Sequence, residues 1–261
     1  MTNTKKGAIA AHLPKTVVFK LLEQDATIIY LTTDRKSWVY HVPRWYWYIF
    51  KHATPEELFS AHSEDNDDNG DEKPPFAWST MFKQAWDAHP KEHDTIMMFG
   101  KSTKLPRFQQ LCGKMGSYRY SGKTFKAQKT YPRGLRHAIQ HMQRIVVDPV
   151  TLQTRLTGGL VNWYENGNHY IGPHADDERD MMVCSPIVAL SLGATRRFVF
   201  TRKTSKGGSS DDRVVARMEL QLEDGDLIIM GGTTQLTHKH AVPKMTRCHE
   251  PRISVTLRCF R

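Results

Sequence analysis

The sequence predicts an α+β chain, mainly β: an antiparallel double-sheet jelly roll with supporting helices gathered before it. Three observations carry this expectation. From about Leu156 onward the apolar pattern changes from a helical period of about 3.6 to a strand period of 2. The helical signals lie upstream of that change. With 261 residues, 39% of them hydrophobic, the chain can bury one sizeable core.

In order along the chain, residues 1–95 form a region of unassigned role. Thr54-Pro55-Glu56-Glu57 reads as an N-cap, a first-turn proline and a capping-box glutamate opening a helix through about Ala61. The acidic run Glu64 to Glu72 follows, within a solvated loop over residues 63–75. Met81, Phe82, Ala85 and Trp86 recur at helical spacing before Pro90. Thr95 to Phe99 reads as a strand ending at Gly100, and Leu135, Ala138, Ile139 and Met142 mark a second amphipathic helix entered through Pro132. Val214, Ala216, Met218, Leu220 and Leu222 then alternate with Arg213, Val215, Arg217, Glu219 and Gln221 as an almost unbroken half-buried strand. Glu223-Asp224-Gly225-Asp226 turns the chain into Leu227-Ile228-Ile229-Met230 and Gly231-Gly232. We divide the chain into residues 1–95, a lid and supporting helix over 96–145, and the jelly-roll core over 146–261.

Composition narrows the function. The formal net charge is +10 and the pI about 9.4, with six of the 27 acids confined to the run 64–72, so the remainder is strongly basic and suits a polyanion. The four cysteines, Cys112, Cys184, Cys248 and Cys259, include no Cys-x-x-Cys pair, which speaks against a disulfide framework or a zinc knuckle. No apolar run is long enough for a membrane span, and Met1 to Lys6 lacks a signal-peptide core. An intracellular, reducing compartment is expected.

The terminal strand carries the chemistry. Side chains alternate along a strand, so Arg252, Ser254, Thr256 and Arg258 share one face while Ile253, Val255, Leu257 and Cys259 share the other. Guanidinium keeps its charge, so two arginines pointing into a fold require an anion such as a small carboxylate. Upstream, His174-Ala175-Asp176 places an imidazole and a carboxylate two apart on one strand face, and His240 adds a second imidazole. Two histidines and one carboxylate form the facial triad of non-heme Fe(II) oxygenases. A His-x-Asp pair alone is commonly a surface pair, and His238 would share the strand face of His240 as a rival ligand.

Taken in order, His-x-Asp, a histidine about sixty residues later and Arg252-x-x-x-Thr256-x-Arg258 resemble the AlkB family of Fe(II)- and 2-oxoglutarate-dependent nucleic-acid dealkylases. The resemblance runs from about Thr95 to the C-terminus and includes Asn162-Trp163-Tyr164, Ser185-Pro186-Ile187 and Ser191-Leu192-Gly193-Ala194. It is strongest to the animal-type DNA-repair branch, AlkB homologues two and three. It implies a double-stranded β-helix core, Fe(II) on His174, Asp176 and His240, and 2-oxoglutarate and O2 as co-substrates. His240 is favoured over His238 because Ala241-Val242-Pro243 matches the family's His-x-x-Pro context.

By the same resemblance, Arg252 pairs with the C5 carboxylate of 2-oxoglutarate, Arg258 lies near its metal-bound end, and Asn162 and Tyr164 hydrogen-bond it. Asp177 and Glu178 would read the base edge, Tyr118 and Tyr120 belong to the lid, and Lys244 and Arg247 to a loop that touches DNA. Met98-Phe99-Gly100 sits where the duplex-specialised homologue carries a hydrophobic wedge. Lys101, Lys104, Arg107, Lys114, Lys123, Lys126 and Lys129 read as contacts to a nucleic-acid backbone. Each has an ordinary counterpart: acids solvated on a loop, alternating tyrosines in a hairpin, a buried strand ending at a glycine turn. Ser254 departs from the usual family asparagine. The implied activity is oxidative demethylation of bases such as N1-methyladenine and N3-methylcytosine in DNA by a monomer, on duplex or else single-stranded DNA or RNA, in the nucleus if the source is eukaryotic. A protein or RNA demethylase, or a non-catalytic nucleic-acid binder, remains the alternative.

Overall fold

A computed structural model describes residues 26–53, 78–98, 100–114, 117–120, 123–146, 155–178, 180–204 and 214–261. The helix expected from Thr54 and the acidic run 64–72 lie outside them.

Fifteen strands are described: β1 (Thr27–Tyr30), β2 (Ser37–Val42), β3 (Thr95–Met98), β4 (Lys101–Lys104), β5 (Phe108–Gly113), β6 (Ser117–Tyr120), β7 (Lys123–Lys126), β8 (Gly158–Tyr164), β9 (Ile171–His174), β10 (Ile187–Gly193), β11 (Arg196–Arg202), β12 (Arg217–Leu222), β13 (Leu227–Gly232), β14 (His238–Val242) and β15 (Arg252–Arg258). They build a seven-stranded sheet in the order β1-β2-β13-β10-β15-β8-β5 and a four-stranded sheet in the order β12-β11-β14-β9. The hairpins β3-β4 and β6-β7 stand apart as two-stranded sheets. The named pairings are antiparallel, as a jelly roll requires.

Two strands from before residue 95 lie inside the larger sheet. Val42 pairs with Leu227 and Ser37 with Gly232, so β2 extends the core beyond β13. The strand expected from Val214 begins at Arg217, from which exposed and sheltered residues alternate to Leu222. Val214 bridges to Thr32, and the Val215 N–H donates to Leu31 O at 2.9 Å, which draws this segment toward the N-terminal strands.

Both faces of the larger sheet are covered. Ile253, Val255, Leu257, Val161 and Trp163 pack outward against the helices Trp78–Asp87 and Arg136–Gln143, through Met81, Ala85, Ala138, Ile139 and Met142. Trp163 Nε1 donates to Ala85 O at 2.8 Å, tying sheet to helix. The inner face meets the smaller sheet through Tyr164, Phe198, Phe200, Leu222, Met230 and Val242. A strand buried on both faces must carry its polar groups where something can pair with them, and β15 carries Arg252, Ser254 and Arg258 on the inner side.

Gly193 closes the β10-β11 turn. Its φ is +80°, and an added Cβ would stand 2.5 Å from Pro251 O and 2.8 Å from the Phe82 ring, so glycine alone fits. Its N–H donates to Asp224 Oδ1 at 2.7 Å.

Candidate active site

Register assembles the centre. His240 on β14 lies directly opposite His174 on β9, with ring centroids 4.3 Å apart. Asp176 completes the group, but not on the strand face where the His-x-Asp spacing put it. β9 ends at His174, and Asp176 follows in the connection beyond, its N–H donating to Gln235 Oε1 at 3.0 Å. The ladder pairing of β9 with β14 is irregular, its register shifting between the Ile171–Val242 and His174–His240 pairs. Asp176 Oδ1 is 3.8 Å from His174 Nε2, and Oδ2 is 3.8 Å from His240 Nε2. The three ligand atoms lie within 4.8 Å of one another.

The donor set fits a divalent metal. Gly172 O accepts from His174 Nδ1 at 2.9 Å, so Nδ1 carries the proton and Nε2 presents its lone pair to the centre. Burial, then the neighbouring His174, pushes His240 down to about 3, and burial likewise lowers His174, so both rings are neutral at physiological pH. Burial alone would raise Asp176. The Arg258 guanidinium outweighs it and holds the carboxyl below its ordinary range. Arg258 Nη2 donates to Asp176 Oδ1 at 2.8 Å, whereas Oδ2 is buried with no hydrogen-bond partner among the described residues. A carboxylate with one orphaned oxygen, set 3.8 Å from the Nε2 atoms of two neutral imidazoles, is the arrangement a ferrous ion would satisfy.

His238 is excluded as the rival ligand by its own partners. Its Nε2 donates to Val215 O at 2.9 Å and its Nδ1 meets Thr237 Oγ1 at 2.8 Å.

Beneath the triad, a narrow cavity between the sheets is lined by Asn162, Tyr164, Ser254, Thr256 and Arg252. Arg252 is buried, donates Nη2 to Ser191 Oγ at 2.8 Å, and places its guanidinium carbon 5.1 Å from the Tyr164 ring centroid. Its Nε and Nη1 have no hydrogen-bond partner among the described residues. Burial lowers its pKa, yet an arginine remains a cation, so this cavity is built for an anion.

A second cavity of about 300 Å³ opens over His174, Asp176 and Arg258 and is lined on its far side by Asp94, Gln109, Phe125 and Lys126. Arg107, grouped with the exposed lysines in the sequence, is instead buried at its wall. It donates Nε to Asn162 Oδ1 at 2.8 Å and Nη2 to Gln109 Oε1 at 3.2 Å. Both partners are carboxamides, one of them distant in sequence, and no pattern in a basic run distinguishes such a residue beforehand. Lys101, Lys104, Lys114, Lys126 and Lys129 are exposed, as are Lys244 and Arg247. Lys244 Nζ stands 5.1 Å from the Tyr170 ring centroid. Glu178 lines the large cavity, while exposed Asp177 pairs with Lys203 at 2.9 Å. Gly100, with φ +76°, turns the β3-β4 hairpin. Phe99 and the side chains of Met98, Tyr118, Tyr120 and Lys123 lie outside the described residues. Sequence reasoning missed Asp94, Gln109 and Gln235, whose polarity alone gave no signal.

Fold and site together define an oxygenase of the jelly-roll class. The chain matches the 2OG-Fe(II) oxygenase superfamily over residues 74–258 and belongs to it. Membership implies Fe(II), 2-oxoglutarate and O2, and the triad and the arginine-floored cavity fit them. The chain is similar to the human "DNA oxidative demethylase ALKBH2", 36% identical over 164 residues covering 62% of this chain and 60% of the relative. The Bos taurus protein of the same name is 34% identical over 166 residues, 62% of this chain and 56% of the relative. The human "Alpha-ketoglutarate-dependent dioxygenase alkB homolog 3" is 38% identical over 99 residues, 38% of this chain and 35% of the relative. The matches thus span about three-fifths of the ALKBH2 relatives' length. Among the described residues, no helix is long and apolar enough to cross a membrane.

Proposed function

We propose that this chain oxidatively demethylates alkylated bases in DNA, with N1-methyladenine and N3-methylcytosine as its substrate class. The observation that carries the reading is the adjacency of a His-Asp-His centre, a buried arginine lacking an anion, and a 300 Å³ cavity that opens onto the same centre. Such a volume accommodates a flipped base, which enzymes acting on bases must extrude.

When bound, iron and 2-oxoglutarate supply the oxidation, O2 being consumed in decarboxylating the co-substrate and hydroxylating the N-methyl carbon, which leaves as formaldehyde. His174, Asp176 and His240 hold the metal. Arg252 takes the distal carboxylate in a charge-assisted contact, with Tyr164 and Asn162 beside it. Arg258 keeps Asp176 ionised and oriented. Tyr118 and Tyr120 stack on the base, and Glu178, with Asp177, meets its polar edge. Met98-Phe99-Gly100 enters the space that the base vacates, and Lys244 and Arg247 join the exposed lysines on the phosphate backbone. In this reading residues 96–145 form the lid and 146–261 carry the site, and the protein acts as a monomer on duplex DNA in a reducing intracellular compartment, the nucleus in a eukaryote. The test is formaldehyde release from a methylated oligonucleotide, compared with a methylated peptide. Release from the peptide alone overturns the proposal.

A further inference from the structure

We propose that Gln235 is a positioning residue for the metal centre, holding the backbone of Asp176 through its side-chain carbonyl; the inference rests on the metal-site reading above. Because β9 ends at His174, no sheet hydrogen bond fixes Asp176. Two contacts replace the ladder. Arg258 orients the carboxylate, and Gln235 Oε1 accepts the Asp176 N–H at 3.0 Å.

Gln235 is itself anchored. It sits in the short helical turn Thr234–Thr237 that leads directly into His238–Val242, the strand of His240. Its Nε2 reaches Met230 Sδ at 3.6 Å, which leaves Oε1 turned toward Asp176. The turn is pinned to β2 by hydroxyls. Ser37 Oγ meets Thr233 Oγ1 at 2.8 Å and Thr237 Oγ1 at 2.9 Å, and Thr234 Oγ1 accepts the Trp38 N–H at 3.1 Å while donating to Gly231 O at 2.6 Å. One polar chain therefore runs from β2, before residue 95, through Thr234 and Gln235 to the metal aspartate. Gln235 and Leu236 line a small cavity behind Asp176 that is open to solvent, so without this acceptor the Asp176 amide would turn to water and its loop would loosen. Groups that orient metal ligands typically change metal affinity by 10- to 100-fold. A contact to the ligand's backbone belongs at the lower end.

The experiment is Mn(II) calorimetry on the full chain without nucleic acid, comparing wild type with Gln235→Met, which keeps the volume, and Gln235→Glu, which keeps the acceptor. Gln235→Met is expected to weaken Mn(II) binding about 10-fold, while Gln235→Glu binds at least as well as wild type. Unchanged affinity in Gln235→Met, or an equal loss in both variants, overturns the inference. Should Gln235→Met fail to fold, hydrogen exchange on the wild type decides: a protected Asp176 amide supports the contact and fast exchange overturns it. A wild type that binds no Mn(II) would instead sink the metal-site reading itself.

Discussion

His174 and His240 face each other across the β9-β14 ladder, yet 65 residues separate them in sequence, and only the register of two short strands brings their rings to 4.3 Å. Asp176 meets both at 3.8 Å. Asp176→Ala should therefore abolish formaldehyde release and reduce Mn(II) binding below detection by calorimetry, since the remaining imidazoles lack the anionic ligand. Wild-type turnover in this variant would show that the metal sits elsewhere.

Arg252→Met separates binding from folding. Co-substrate affinity should fall by about 2 to 4 kcal/mol, because a charge-assisted contact to a buried cation is removed. The ligand-free protein should be as stable as wild type or more so, by up to about 4 kcal/mol, because Arg252 is buried without a carboxylate beside it. Calorimetry with 2-oxoglutarate and a denaturant melt check the two halves; intact affinity contradicts the anion-cavity reading.

Thiol chemistry tests burial. Burial pushes the Cys112 thiol up to about 11 and raises Cys259 too, so both are protonated near pH 8, whereas Cys184 is exposed. Iodoacetamide at pH 8 should modify Cys184 rapidly and leave Cys112 and Cys259 unmodified until the protein is unfolded. Fast labelling of Cys112 in the native state would show that the β5-β8 edge opens.

Trp163→Phe should cost about 1 to 3 kcal/mol in a denaturant melt, since Ala85 O loses its donor inside the sheet-helix layer. A neutral substitution would mean that water replaces the indole there.

Much of this architecture is legible in the sequence because it is periodic. The alternation in β15 predicts Arg252 and Arg258 on one buried face, and the spacing of Met81, Ala85 and Trp86 predicts the helix that covers the other. What is not legible depends on partners distant in sequence. Asp176 lies beyond the end of its strand, where its bonds go to Gln235 and Arg258, and Arg107 is buried with Asn162, 55 residues away, accepting from it. The place of β2 in the larger sheet follows from pairing with β13, which no local pattern near Trp38 announces.

Demethylation by this chain is tested by simultaneous quantitation of succinate and formaldehyde from a single- or double-stranded DNA oligonucleotide bearing one N1-methyladenine, with added Fe(II) and 2-oxoglutarate. Equal amounts of both products are expected, dependent on iron and lost in Asp176→Ala. Phe99→Ala should lower the duplex reaction by roughly 1 to 3 kcal/mol more than the single-strand reaction. Succinate formed at the same rate without any lesion, and no formaldehyde from either strand form, would contradict it.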